Sequence, residues 1–380
     1  MNPPPSTPVP DVPFVNEMRL NARNWAVAIA LISVIIWITP RIWKRAERFE
    51  TGPDYRIPYS LSRDYWLYQR RLEGVPQDKV VLLGDSVIWG EYVLPNGTLS
   101  HFLNEKAGSG ERFVNGGVNG LFPLALEGLV NSYAPTVHHR KVILHCNVLW
   151  MSSPKADLQV QKEEKFNHSR LVPQFSPRIP CYKANANERL GVLVERNVQF
   201  MSWVTHLQSA YFDDRSIPVW TLEEDSSVDP PRYPNSYKNP LKQITMEVPS
   251  APAEDPQRGP ASPRHKGWSQ KAQFDWVTLE TSLQWEAFKR TYEKLRARGN
   301  QVIVLFGPFN EHMLAPESQE GYQKLRAGIL EWFKQNNVEY LAPKTLPSEL
   351  YADASHPLTE GYKMLAEEVT GPILQVLEKK

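Results

Sequence analysis

Cysteine is nearly missing from this chain: Cys146 and Cys181 are the two in 380 residues. No disulfide framework can be built from them, and each is expected as a buried or free thiol. Charge of one sign is missing too, since 43 basic and 42 acidic side chains leave a formal net charge of +1. That balance provides no basic excess to call for nucleic acid and no acidic excess of a solvating chain. No His, Cys, Asp or Glu cluster has metal-ligand spacing, His138-His139 being a lone pair in a charged turn. No Gly-rich loop could cradle a phosphate, and internal repeats are lacking. No metal or organic cofactor is implied.

Long apolar runs are scarce as well, with one exception. From Asn24 to Pro40 there is no charged residue, and Ile42 and Trp43 extend the stretch towards the ~20 residues that cross a bilayer core. Trp25, Trp37 and Trp43 stand where interfacial aromatics are expected, and Arg41, Lys44, Arg45 and Arg48 stop the run. A cleaved signal peptide fits less well, because no small-x-small pattern follows. A soluble core helix would normally show a polar face. The segment 24–43 is therefore expected to be a transmembrane anchor.

Proline is plentiful but uneven. The 33 prolines crowd the first thirteen residues and the stretch from Pro218 to Pro263, where packed helix or sheet is not expected. Residues 1–23 read as a Pro-rich tail and residues 44–78 as a connector. With 41% of the chain hydrophobic, the remainder can bury a sizeable core.

Short apolar runs then alternate with helical periodicity. Lys79–Leu83, Phe113-Val114, Lys141–Cys146, Gln301–Phe306 and Val338–Leu341 read as strands of the buried parallel type. Helices are expected over Leu99–Lys106 (capped by Thr98 or Asn96), Leu121–Tyr133, Asn187–Tyr211, Glu280–Arg298, Glu317–Asn336 and Thr359–Leu377. The pattern predicts one three-layer α/β domain over 79–378 with a parallel sheet, carrying a long insertion at about 152–275.

The first strand ends in Gly84-Asp85-Ser86, which puts a serine at the C-terminal edge of the sheet, where α/β proteins bind ligands. By itself that tripeptide reads as a turn. Near the other end stands Asp353-Ala-Ser-His356, by itself a helix cap beside a surface histidine. Together they supply what a serine nucleophile needs: a base to take its proton and a carboxylate to orient the imidazole. Between them, Asn115-Gly-Gly117-Val-Asn-Gly120 follows the second strand and His145-Cys-Asn147-Val148 ends the third.

Four motifs in this order resemble the SGNH (GDSL-type) hydrolase superfamily, whose fold is a flavodoxin-like three-layer α/β/α sheet. The resemblance covers roughly 79–150 and 300–378. It implies Ser86 as nucleophile with Asp353 and His356 completing a triad. It also implies an oxyanion hole of Ser86 N–H, Gly117 N–H and the Asn147 side-chain amide. His145 and Val148 depart from the usual glycine and aspartate of the third block; His145 is expected to be a buried, hydrogen-bonded residue. Asn310, Glu311 and His312 follow the fourth strand on the same rim and read as an ordinary polar loop. Asn96-Gly-Thr98 and Asn167-His-Ser169 match the short glycosylation pattern, a weak signal.

The expected activity is that of a serine esterase or O-acyltransferase acting on acyl esters of a carbohydrate or envelope polymer. The layout of anchor, nucleophile, insertion and late Asp-x-x-His is similar to that of envelope-polymer O-acyltransferases, which implies a polysaccharide ester as substrate and a membrane-bound acyltransferase as partner. A lipid-active esterase and a non-catalytic membrane-anchored envelope scaffold are the alternatives. Positive charge after the span favours a cytoplasmic body, but long domains cross largely regardless of it, and the layout favours an extracytoplasmic one. A reporter enzyme active only outside the cytoplasm, fused after Lys380, is expected to be active; a cytoplasmic signal would overturn that placement.

Overall fold

The computed structural model describes residues 21–49, 51–108, 111–212, 214–222, 245–248 and 270–378. The Pro-rich tail lies outside the described residues up to position 20, as does most of the Pro218–Pro263 stretch. Two compact units divide between Ala46 and Glu47.

The first unit is the helix α1, Ala22–Ala46. At 1.5 Å per residue it is about 37 Å long, more than the roughly 30 Å of a hydrocarbon core. Its apolar window has a mean hydropathy of 2.0. Ile29, Leu31, Ile32, Val34, Ile35 and Trp37 are all exposed, so apolar surface runs around the whole helix. It is long and apolar enough to cross a membrane.

The second unit is built on a five-stranded parallel sheet. Its strands are β1 (Val80–Gly84), β2 (Phe113–Gly117), β3 (Lys141–Cys146), β4 (Gln301–Phe306) and β5 (Glu339–Leu341), in the order β2-β1-β3-β4-β5. Between and after them run α2 (Tyr65–Glu73), α3 (Ser86–Trp89), α4 (Leu99–Lys106), α5 (Pro123–Tyr133), α6 (Ala186–Asn197), α7 (Gln199–Tyr211), α8 (Ile217–Leu222), α9 (Leu283–Ala297), α10 (Pro316–Gln335) and α11 (Thr359–Glu378).

Alternation along each strand divides the core into two layers. Val81, Leu83, Val142, Leu144, Val302 and Val304 pack with side chains of α2, α5, α9 and α10, among them Tyr68, Leu126, Phe288 and Phe333. Val80, Leu82, Ile143, Ile303 and Leu305 pack with Leu103 of α4 and with Tyr362 and Val369 of α11. The result is the three-layer α/β/α arrangement expected from the strand and helix pattern. Because β2 lies on one side of β1 and β3 on the other, the order reverses at the β1/β3 boundary. In such sheets the crevice at the strand C-termini opens there.

Some local expectations differ from what is found. The stretch read as a connector contains α2, whose cap Asp64 accepts from Leu67 N at 2.9 Å. The single helix expected over Asn187–Tyr211 is two, because Val198 is extended (φ −108°, ψ 103°). Ser202 Oγ closes that corner by donating to Glu195 O at 2.7 Å. His206 of α7 lies wholly buried between Asp64 Oδ2 (2.6 Å) and Glu47 Oε1 (2.7 Å), which ties the start of this unit to α2 and α7.

The first part of the insertion packs onto the sheet. Leu158, Leu171, Val172, Ile179 and Cys181 are all buried in the α5/α9 layer, and both cysteines are free and buried. Asp157 returns the chain to the fold: its fully buried carboxylate accepts from Ser282 Oγ, Leu283 N (2.9 Å) and Gln284 N (3.1 Å) at the start of α9. Asp157→Ala would leave those buried donors unmatched. Its expected cost is on the order of 1–3 kcal/mol, read as a lower midpoint in chemical denaturation with an unchanged m-value.

Candidate active site

β1 delivers its C-terminal end into the crevice, and Asp85 converts strand to helix. The Asp85 carboxylate caps α3 by accepting from Val87 N at 2.9 Å, which leaves Ser86 as the first helical residue. Gly90 ends the four-residue helix at φ +90°, a conformation that favours glycine. Arg56 stacks over the Trp89 ring at 3.9 Å and donates to the carbonyls of Trp89, Gly90 and Val93. Tyr362 of α11 donates to Val87 O at 2.6 Å. The turn carrying Ser86 is therefore held by Arg56 from the segment before α2 and by Tyr362 from α11.

The loop before α11 carries the other two residues. Asp353 Oδ1 accepts from Ser355 N (2.9 Å) and His356 N (3.0 Å), so one carboxylate shapes the loop that presents the imidazole. The β4 loop braces it: Asn310 N donates to Ala354 O at 2.8 Å, and Tyr351 Oη donates to Phe309 O at 3.1 Å. His356 Nδ1 lies 2.8 Å from both Asp353 oxygens, and its Nε2 lies 2.7 Å from Ser86 Oγ. Ser86, His356 and Asp353 thus form a continuous chain of contacts between residues 270 positions apart.

The two other oxyanion candidates are placed differently. Asn147 stands at the end of β3, where its Nδ2 donates to Asp85 Oδ2 at 3.0 Å and its Oδ1 accepts from Leu149 N at 3.0 Å. One of its two amide hydrogens is therefore used by Asp85. Gly117 N donates to Asn115 Oδ1 at 3.0 Å. A Cβ at Gly117 would stand 2.4 Å from Trp89 N, so this glycine lets β2 pack directly against the back of α3. The backbone N–H expected in the oxyanion hole is taken up by its own strand.

His145 is fully buried, with Nε2 3.0 Å from Gly307 O and Nδ1 3.0 Å from Asp85 Oδ1. Trp150 Nε1 also donates to Asp85 Oδ2 at 3.0 Å. Sequence reasoning missed Asp85 as the meeting point of these groups; the one available signal was a histidine where the third motif usually has glycine. In the β4 loop, Glu311 accepts from Tyr322 Oη at 2.7 Å, and Asn310 is fully buried. Among the described residues no group of His, Cys, Asp and Glu could hold a metal ion. A cavity of about 410 Å³ lies beside the insertion, against Arg63, Lys165, His168 and Tyr182, and Ser86, Asp353 and His356 do not line it.

Charge is distributed to favour an imidazolium. Burial alone would raise the Asp85 carboxyl, but the charge and contact of His145, the Val87 N–H and His356 hold it below its ordinary value. Burial likewise would raise Asp353, and His356 with the two backbone N–H groups brings it down. For His356 burial works downward, yet Asp353, Glu91 and Asp85 together push it up to about 9. The neutral form able to accept a proton from Ser86 therefore grows in as pH rises through that value. Modification of Ser86 by a fluorophosphonate should increase between pH 7 and 10 with a midpoint near 9. A flat profile over that interval would contradict this electrostatic reading.

Comparison with known proteins adds little to the geometry. No family model matches the chain, and no curated protein matches it. Among solved structures it aligns with a Desulfitobacterium hafniense DCB-2 protein ascribed to the G-D-S-L lipolytic family. The alignment covers 77% of this chain and 98% of that one, at 12% identity and a TM-score of 0.35. Sheet order and helix packing on both faces define the fold.

Proposed function

We propose that this chain is a serine-dependent esterase or O-acyltransferase of the SGNH type, held at a membrane by α1 with its catalytic unit outside the cytoplasm. The observation that carries the reading is the chain Ser86 Oγ–His356 Nε2–Asp353 at the C-terminal edge of the sheet. Ser86 Oγ attacks the ester carbonyl and its proton passes to His356 Nε2. Asp353 holds Nδ1–H and stabilises the imidazolium. Collapse of the tetrahedral species breaks the ester C–O bond, and the leaving alkoxide takes the proton from Nε2. Water or an acceptor hydroxyl then attacks the acyl-serine, giving its proton to Nε2, and Ser86 Oγ recovers it as the leaving group.

The oxyanion needs fixed donors. Ser86 N–H and the second Asn147 amide hydrogen are the candidates, the latter aimed by its bond to Asp85. Gly117 is left with a packing role, since its N–H already has a partner. An acyl ester of a carbohydrate or envelope polymer is the proposed substrate class, and a membrane-bound acyltransferase the proposed partner. Both rest on the combination of an apolar N-terminal helix with this site.

The test is hydrolysis of p-nitrophenyl acetate and longer-chain esters by the full-length protein in detergent. Ser86→Ala and His356→Ala are each expected to lower kcat by about 10⁴-fold or more, and Asn147→Ala by about 10²–10³-fold. Preference for long chains would move the substrate class to lipids. Absence of both turnover and Ser86 labelling by a fluorophosphonate would point to a non-catalytic scaffold and sink the proposal.

A further inference from the structure

Immediately beyond α3 the chain makes a turn that brings a second carboxylate to the imidazole. Gly90 adopts φ +90° and Tyr92 φ +67°, the latter a conformation a bulky side chain rarely takes. Between them Glu91 N donates to Ser86 O at 3.0 Å, which pins Glu91 to the same turn as the nucleophile. Glu91 Oε2 then lies 3.5 Å from His356 Nε2, the ring atom that also faces Ser86 Oγ. The Tyr92 ring packs edge-on against His356, with centroids 5.5 Å apart. Both side chains are mostly withdrawn from solvent, the imidazole at 12% exposure and Glu91 at 17%, so water screens the pair only in part.

We propose that Glu91 is a positioning residue that acts through His356, its charge beside Nε2 favouring the protonated ring and so setting the pH at which the imidazole becomes a base. The proposal rests on the acyl-transfer reading for its consequence in catalysis, but its physical content is the Glu91–His356 contact. The imidazole is faced by Asp353 from its own loop, Asp85 from the end of β1, and Ser86, Glu91 and Tyr92 from α3 and the turn beyond it. Arg56 brings a cation to the same turn by donating to Gly90 O. Of the carboxylates, Asp353 serves Nδ1 and Asp85 is occupied by α3, Asn147 and Trp150. Glu91 is the one at Nε2, where the proton moves.

A carboxylate beside Nε2 favours the charged ring, so its removal should lower the His356 midpoint and extend the neutral base to lower pH. The experiment is an NMR titration of the histidine Cε1–H resonances of the full-length protein in detergent, with His356 assigned by its loss in His356→Ala. Glu91→Gln is expected to lower the His356 midpoint by about one pH unit, while Glu91→Asp, which keeps the charge, should hold it near the parent value. Fluorophosphonate labelling of Ser86 should move down by the same interval. An unchanged midpoint in Glu91→Gln overturns the proposal. A midpoint that moves in a protein whose Ser86 is never labelled would sink the acyl-transfer reading and leave the action of Glu91 on His356 standing.

Discussion

The site depends on burying one carboxylate. Asp85 is almost wholly enclosed, and an unpaired carboxylate there would cost many kcal/mol in desolvation. It is tolerated because donors converge on it from separate elements: Val87 N from α3, Asn147 Nδ2 and Trp150 Nε1 from beyond β3, with His145 3.0 Å away. Each of those groups is thereby fixed in turn. The bond to Val87 starts α3 at Ser86, and the bond to Asn147 sets the direction of its amide. The contact with His145 ties β3 to the β4 loop through Gly307 O. Breaking such a buried charge set by removing one partner is far more costly than never having built it. One side chain thus couples the position of Ser86 to the geometry of the ends of β1, β3 and β4.

Much of this was legible in the sequence for reasons that can be stated. The inner strands could be read as short apolar runs because a parallel sheet buried on both faces leaves few polar positions along them, whereas edge strand β5 exposes Glu339. The order of Ser86, Asn147, Asp353 and His356 could be read because each stands at a strand end or just before the last helix. Such places are marked by local chemistry. What could not be read are relations between distant positions. Asp85 meets Asn147 and Trp150 across 62 and 65 residues, and no periodicity reports that. Glu91 looks like a surface residue in a turn until Gly90 and Tyr92 fold it back onto His356. Gly117 was read from its place in a motif, but its N–H bonds to Asn115 two residues earlier, an interaction set by side-chain direction.

Helix boundaries show the same division. Thr98 caps α4 as its position suggests, accepting from His101 N. The break at Val198 has no glycine or proline to announce it; it comes from packing α7 against α2, where His206 enters the pocket between Asp64 and Glu47. The segment containing α2 is rich in Tyr, Trp and Arg, a composition that gives no clear apolar stripe. Yet Tyr65, Trp66, Leu67, Tyr68 and Leu72 are all buried. Tertiary contact decides both cases.

The electrostatics impose a balance on the chemistry. In the proposed mechanism the carboxylates of Asp353, Glu91 and Asp85 would stabilise the imidazolium formed when Ser86 gives up its proton, and so lower the barrier to attack. The same charges make the neutral imidazole scarce at pH 7, because they push the His356 midpoint up to about 9. Asp353 cannot relieve this without surrendering the orientation of the ring, and Asp85 cannot move without disturbing α3. Glu91 is held in the turn beyond α3 with its carboxylate 3.5 Å from Nε2, so it adds its charge to the same balance from the side of the ring that faces Ser86.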